Sequence, residues 1–279
     1  MRITASRMKL RMTGVMLAAC VLFGAPMARA QNPDTIPADV STAKSKEIFR
    51  QAIEALGGET YLRLRDSDCS GRLSQFGPLT GELTGVFQFR ELRMPPDKLR
   101  RELTKKGVII DVYNGDHAWS LDKGGVEDVD AVVVAGFQFG IKTTMDNFLR
   151  FRINEPGMYF RFGGDDVVSL KQVDWAEVTD SEDRTFRMAV DRATHLPVQF
   201  VVSTRNPTTR DVSVETTTYS NWHMQDGVQT PYQFSRERDG KRVSQTFYTD
   251  CKYNTGLSVS LFSRESLEQR WRDTGHKVK

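Results

Sequence analysis

Histidine and cysteine are scarce in this sequence, with four His and three Cys among 279 residues. No two of His117, His195, His223 and His276 lie three or four positions apart, so the usual spacing of a metal-binding pair is missing. No metal site and no cofactor are expected. There is no G-x-S-x-G nucleophile elbow, and Gly57-Gly58 lacks the Lys and further Gly of a phosphate loop. Every positive sign of catalysis is absent, so a non-enzymatic role is expected. The apolar run at 13–25 is too short for a membrane-spanning helix, which needs roughly 20 residues.

A surplus of basic charge is lacking as well. The chain carries 39 Lys and Arg against 36 Asp and Glu, but residues 1–30 hold Arg2, Arg7, Lys9, Arg11 and Arg29 and no acid. The rest is slightly acidic. Proteins that bind nucleic acid neutralise phosphates with clustered cations, so that class is excluded. Apolar residues make up 39% and charged residues 27%, without a low-complexity tract, which fits a folded chain rather than a disordered one.

The first thirty residues are basic, then apolar, then Ala28-Arg29-Ala30. This order predicts a cleaved secretory signal, cut after Ala30. A rival reading takes Leu17-Ala18-Ala19-Cys20 as a lipidation box with Cys20 as anchor. The apolar residues that follow Cys20 fit a signal core better than a polar tether. Export permits disulfides. Two cysteines remain beyond the signal, Cys69 and Cys251. They either bridge, which the loop-entropy model values at roughly 5 kcal/mol, or are buried apart as thiols.

Residues 31–40 hold two prolines and no apolar period, and read as a flexible lead-in. Over 41–56, Ile48, Phe49, Ala52, Ile53 and Leu56 recur at helical spacing. Ser41 or Thr42 is the expected cap, and Gly57-Gly58 the stop. From residue 67 the period becomes two. Strands are expected at 67–76, 81–91, 98–104, 107–113, 117–121, 157–163, 167–178, 184–191, 196–204, 211–222, 228–237 and 242–253. Asn114-Gly115, Asp226-Gly227 and Asp239-Gly240 are hairpin signals, and Gly163-Gly164-Asp165-Asp166 suits a tight turn better than a catalytic carboxylate pair. Residues 131–151 return to helical spacing through Phe137, Ile141, Met145, Phe148 and Leu149, as one helix or two broken at Gly136 or Gly140. A C-terminal tail is expected at 266–279.

Along the strands Phe87 and Phe89 share a face, as do Phe160 and Phe162, Phe186 and Met188, Val198 and Phe200, and Tyr232 and Phe234. One face of the sheet is apolar and the other wetted. About eleven antiparallel strands in one meander must curl strongly or close. Two helices to cover a Phe-rich curled sheet leave either a filled interior or a ligand-sized hollow.

Several segments match a known family. They are Ala55-Leu-Gly-Gly-Glu-Thr-Tyr-Leu62, Asn114-Gly-Asp-His-Ala-Trp119, Asp191-Arg-Ala-Thr-His-Leu-Pro197, Asp226-Gly-Val-Gln-Thr-Pro231, and Tyr253-Asn-Thr-Gly-Leu257 running to Leu261-Phe262. In this order, across residues 48–263, the chain resembles a divergent member of the periplasmic outer-membrane lipoprotein carrier and sorting superfamily, with the LolA/LolB-like fold. The resemblance implies a mainly antiparallel β fold with an α lid, an incomplete barrel of about eleven strands, as one domain over 41–265. It further implies a periplasmic protein whose hollow holds lipid or lipoprotein acyl chains. The lining expected on that reading is Phe87, Phe89, Phe137, Ile141, Met145, Phe148, Phe160, Phe186, Phe200 and Phe234. The alternative is an envelope-stress sensor or scaffold that binds a membrane-protein partner through the same fold.

Overall fold

The computed structural model describes residues 33–104, 108–206 and 208–273. The expected export signal with Cys20, and His276, lie outside the described residues. Among the described residues thirteen strands form: β1 (Ser67–Phe76), β2 (Leu83–Met94), β3 (Lys98–Thr104), β4 (Val108–Asn114), β5 (His117–Asp122), β6 (Gly125–Asp128), β7 (Tyr159–Val168), β8 (Lys171–Thr179), β9 (Thr185–Asp191), β10 (Pro197–Arg205), β11 (Val212–Gln225), β12 (Val228–Arg238) and β13 (Lys241–Tyr253). They make one antiparallel sheet in the order β6-β5-β4-β3-β2-β1-β13-β12-β11-β10-β9-β8-β7. Two meanders are thus joined where β1 pairs with β13. The end strands β6 and β7 do not pair with each other, so the sheet is an incomplete barrel, of thirteen strands rather than about eleven.

The short turns follow from their residues. Asp226-Gly227 and Asp239-Gly240 have positive φ at both positions, the mirror-image turn that suits the twist of a hairpin. The turn between β7 and β8 corrects the sequence expectation. Ser169 and Leu170 take the same left-handed conformation, and Leu170 is 99% exposed. Gly163-Gly164-Asp165-Asp166 instead lies inside β7, where the register against β8 shifts between Phe162 and Asp165. A β-bulge uses the glycines that suggested a turn.

The helices are α1 (Ala38–Leu56), α2 (Glu59–Leu62), α3 (Ala131–Thr143), α4 (Met145–Asn147), which runs on as one π-helical turn over Phe148–Arg152, and α5 (Arg264–Asp273). α1 starts earlier than expected, after Pro37, inside the expected lead-in, and no side chain caps it. Ser41 and Thr42 have another task. The Ser41 hydroxyl accepts from the Phe162 amide at 2.9 Å, the Thr42 hydroxyl donates to the Phe160 carbonyl at 3.1 Å, and Ser45 donates to the Glu177 carbonyl at 3.1 Å. Hydroxyls on the helix thereby satisfy backbone groups of the edge strand β7 and its neighbour. At the other end Gly57 has φ +131°, and a Cβ there would stand 2.6 Å from the Gly227 carbonyl oxygen. Only glycine lets the helix end pass this close to the β11–β12 turn.

α3 and α4 break at Thr144, not at Gly136 or Gly140. Thr144 is extended, and its hydroxyl accepts from the Asn147 amide, capping α4. The expected tail is also corrected over the described part. α5 buries Leu267 against Leu92, Ile110, Val112, Leu121 and Phe262. This covers the outer face of β2, β4 and β5, which alternation alone read as wetted. The main core lies on the inner face of β7–β10. There α1 and the π turn bring Phe49, Phe148 and Leu149 against Phe160, Phe162, Phe186, Met188 and Phe200. The Phe148 and Phe186 rings stack with centroids 4.6 Å apart.

Candidate functional site

α1 and the π turn cover the inner face of β7–β10. Over β1, β2 and β10–β13 a cavity of about 490 Å³ remains, closed on its far side by α2, the start of α4 and the α3–α4 junction. A volume of this size lies within the range of about 300–1,000 Å³ that holds small ligands. Cys69 of β1 and Cys251 of β13 face each other in register and are bonded, 182 positions apart in sequence. The bridge ties the two meanders together beside the cavity.

The expected lining residues divide into three groups. Phe89 and Phe234 line the hollow, and Met145 and Phe200 border it from the edge of the packed core. Phe148, Phe160 and Phe186 belong to the solid core beside it. On α3, Phe137 stacks on Tyr113 with centroids 4.1 Å apart, and Ile141 is half-buried on the same helix. Phe87 is half-buried on β2, two residues before Phe89. The hollow is therefore partly self-filled and partly open.

Sequence reasoning missed its polar side. The alternation that turns Phe89 inward continues to Glu91 and Arg93, and Arg101 is the direct cross-strand partner of Glu91. Glu91 Oε1 accepts from Arg93 Nε at 2.5 Å, while Oε2 accepts from Arg101 Nε at 2.8 Å and Nη2 at 2.6 Å. Burial alone would raise the Glu91 pKa. The charges and hydrogen bonds of Arg93 and Arg101 outweigh it and hold the carboxyl at about 2. The same exchange holds the Arg93 guanidinium above its usual range. The signal was in the sequence as period two carried four residues beyond Phe89. A charged pair on an inward face contradicts the apolar rule that defined the lining.

Four tyrosines add neutral polar groups. The Tyr61 hydroxyl donates to Asp146 Oδ1 at 2.9 Å, and Tyr253 shares a 2.8 Å hydrogen bond with Thr230. Burial, then nearby carboxylates, pushes the Tyr61, Tyr219 and Tyr248 hydroxyls up, with Glu91 acting on Tyr248 and Asp146 on the other two. All remain protonated donors at neutral pH. Arg150 closes one wall. Its Nη2 donates to the Leu64 carbonyl, while its buried Nε has no partner. Among the described residues no three His, Cys, Asp or Glu side chains gather as a metal site, and no helix is long and apolar enough to cross a membrane.

An open antiparallel sheet curled around a cavity, with a long first helix seated on the last strands, has counterparts among solved structures. A DUF1329 family protein from Desulfovibrio piger matches with a TM-score of 0.52 at 14% identity, over 80% of this chain and 98% of its own. A domain assigned to outer membrane lipoprotein sorting from Vibrio parahaemolyticus matches at 0.50 and 12%, over 83% of this chain and 100% of its own. A LolA superfamily protein from Nitrosomonas europaea matches at 0.50 and 12%, over 80% and 99%. The chain has a LolA-like fold. At such low identity the likeness carries the fold and no residue roles. No protein-family model and no curated protein matches the chain. In this LolA-like sheet the hollow lies where β1 meets β13, on the inner side of the disulfide-linked strands.

Proposed function

We propose that this chain is a non-enzymatic binding protein of the bacterial periplasm, exported by the signal at 1–30, that holds an acyl chain or a comparable apolar segment of an envelope molecule. The observation that carries the reading is the hollow itself. It is sized for a ligand, and Trp222 and Phe234 present apolar surface to it, backed by the buried Phe89, Met145 and Phe200. Burying a chain there is worth roughly 0.8 kcal/mol per methylene. The bonded Cys69–Cys251 pair supports an oxidising compartment. The LolA-like fold supports a place in lipoprotein sorting or a related transfer between membranes.

Native mass spectrometry of the protein purified from an envelope extract without detergent tests this, with organic extraction of the same sample. One acyl-bearing species per chain is expected. A ligand-free mass, together with no uptake of added long-chain amphiphile, overturns the reading. The same spectrum reads the N-terminus, where a chain beginning at Gln31 is expected rather than a lipidated Cys20.

A further inference from the structure

We infer that the hollow recognises an anionic head group as well as an apolar chain, with Arg93 and Arg101 as its receiving residues. The inference rests on the ligand-binding reading above and names the class of ligand, a single-chain amphiphile ending in a carboxylate or phosphate. The charges decide it. Glu91 compensates one of the two guanidinium groups, and both its oxygens are already occupied. Elsewhere on the lining Asp146 accepts from the Tyr61 hydroxyl, Asp66 from the Thr255 hydroxyl and the Thr255 and Gly256 amides, and Glu215 pairs with Arg236, so the surplus positive charge is local to the Arg93–Glu91–Arg101 cluster.

The donors are also free to act. Arg93 gives only Nε to Glu91, and Arg101 gives Nε and Nη2. The two Nη groups of Arg93 and Nη1 of Arg101 donate to no described residue. The two side chains are 41% and 34% exposed, although both line a cavity. Glu91 holds the two guanidinium planes in place, which lowers the ordering cost of a bidentate bond to an incoming oxyanion. Phe89 lies two positions from Glu91 on the same strand face, so a chain attached to that oxyanion meets apolar surface at once. The protonated Tyr248 hydroxyl makes no hydrogen bond to a described residue and lies on the same wall.

The test compares dodecanoate, dodecyl phosphate and dodecanol by isothermal titration on the full mature chain. Both anions are expected to bind about tenfold or more tightly than the alcohol, the scale of one charge-assisted hydrogen bond. In Arg93→Gln and Arg101→Gln the preference should shrink to about twofold or less while dodecanol binding is kept, and Arg93→Lys should retain part of it. Equal binding of alcohol and anions by the unaltered chain overturns the head-group inference alone. So does a preference that survives in the Arg93→Gln/Arg101→Gln double variant. If none of the three ligands binds, the ligand-binding reading falls with it.

Discussion

Glu91 of β2 and Arg101 of β3 are cross-strand partners whose side chains meet inside the cavity, with Arg101 Nη2 2.6 Å from Glu91 Oε2. An ion pair at this place is unusual for a hollow read as apolar. Its effect on stability is measurable through pH. The folded-state pKa of Glu91 is depressed to about 2 from an ordinary 4.5. A depressed carboxyl contributes stability that is fully present above the unfolded value and is lost as pH falls through the folded one. Glu91→Gln should therefore cost about 3 kcal/mol at pH 7, since it leaves two guanidinium groups without their shared acceptor. Between about pH 4.5 and pH 2 the gap to the unaltered chain should close. Urea unfolding of both proteins across that window checks it, and a gap that stays constant with pH excludes this role.

Phe148 and Phe234 separate packing from binding. Both were expected to line the hollow. Phe148 is fully buried, stacked on Phe186, and Phe234 faces the cavity. Phe148→Ala should cost about 3–5 kcal/mol by opening a void in the main core. Phe234→Ala should cost far less and weaken amphiphile binding instead. Denaturation midpoints and titration of the same ligand on both variants would show the opposite ordering if the hollow lay on the β7–β10 side.

These contrasts mark what alternation conveys. Period two found the strands and put Phe89, Phe186 and Phe200 on one inner face, because a half-buried sheet needs that pattern. It could not say which part of that face the helices would cover. Whether Phe186 meets Phe148 or open space depends on where α1 and the π turn land, which is a long-range property. Glu91 continues the inward face at the end of the expected strand 81–91, and Arg93 joins it because β2 runs on to Met94. The bulge at Gly163-Gly164 and the turn at Ser169-Leu170 reverse the usual preferences of glycine and leucine. Only the register with β8 reveals this.

Ser41 has a partner that a helix cap would not have. Its hydroxyl accepts from the amide of Phe162 on β7, 121 residues away. Ser41→Ala leaves that buried amide without an acceptor, at a cost of about 1–3 kcal/mol. Ser41→Gly would cost the same hydrogen bond plus helix propensity. The local readout is hydrogen exchange at Phe162, which should speed up in Ser41→Ala well beyond its global loss of stability. Exchange there that merely follows the global change means the bond contributes nothing of its own.

The Cys69–Cys251 bridge crosses the junction of β1 and β13, where the two meanders join. Constraining so long a loop stabilises mainly by restricting the unfolded chain, by roughly 2–5 kcal/mol. Cys69→Ala/Cys251→Ala should lower the melting temperature by several degrees while leaving amphiphile affinity nearly unchanged, since β1 and β13 still pair along their whole length. A reductant should reproduce the shift in the unaltered protein and do nothing to the double variant. Loss of binding without loss of stability would place the bridge in the ligand site itself.

Helix α3 is apolar along most of its length yet barely packed. Val132 is 79% exposed and Phe139 42%, and only Val134 and Thr143 are buried. A helix with so few buried contacts opens at low free energy. Its last turn, with Gly140 and Thr143, also borders the cavity. Entry of a long-chain ligand needs one wall to yield, and this is the wall with least to lose. Amides of 133–143 should exchange faster than those of α1, and bound dodecanoate should slow those near the α3–α4 junction. The π turn that follows should stay protected throughout, because Phe148 and Leu149 anchor it in the core. If ligand binding leaves exchange across α3 untouched while slowing the β11–β12 turn at Asp226-Gly227, the entrance lies at that turn and α3 is a fixed cover.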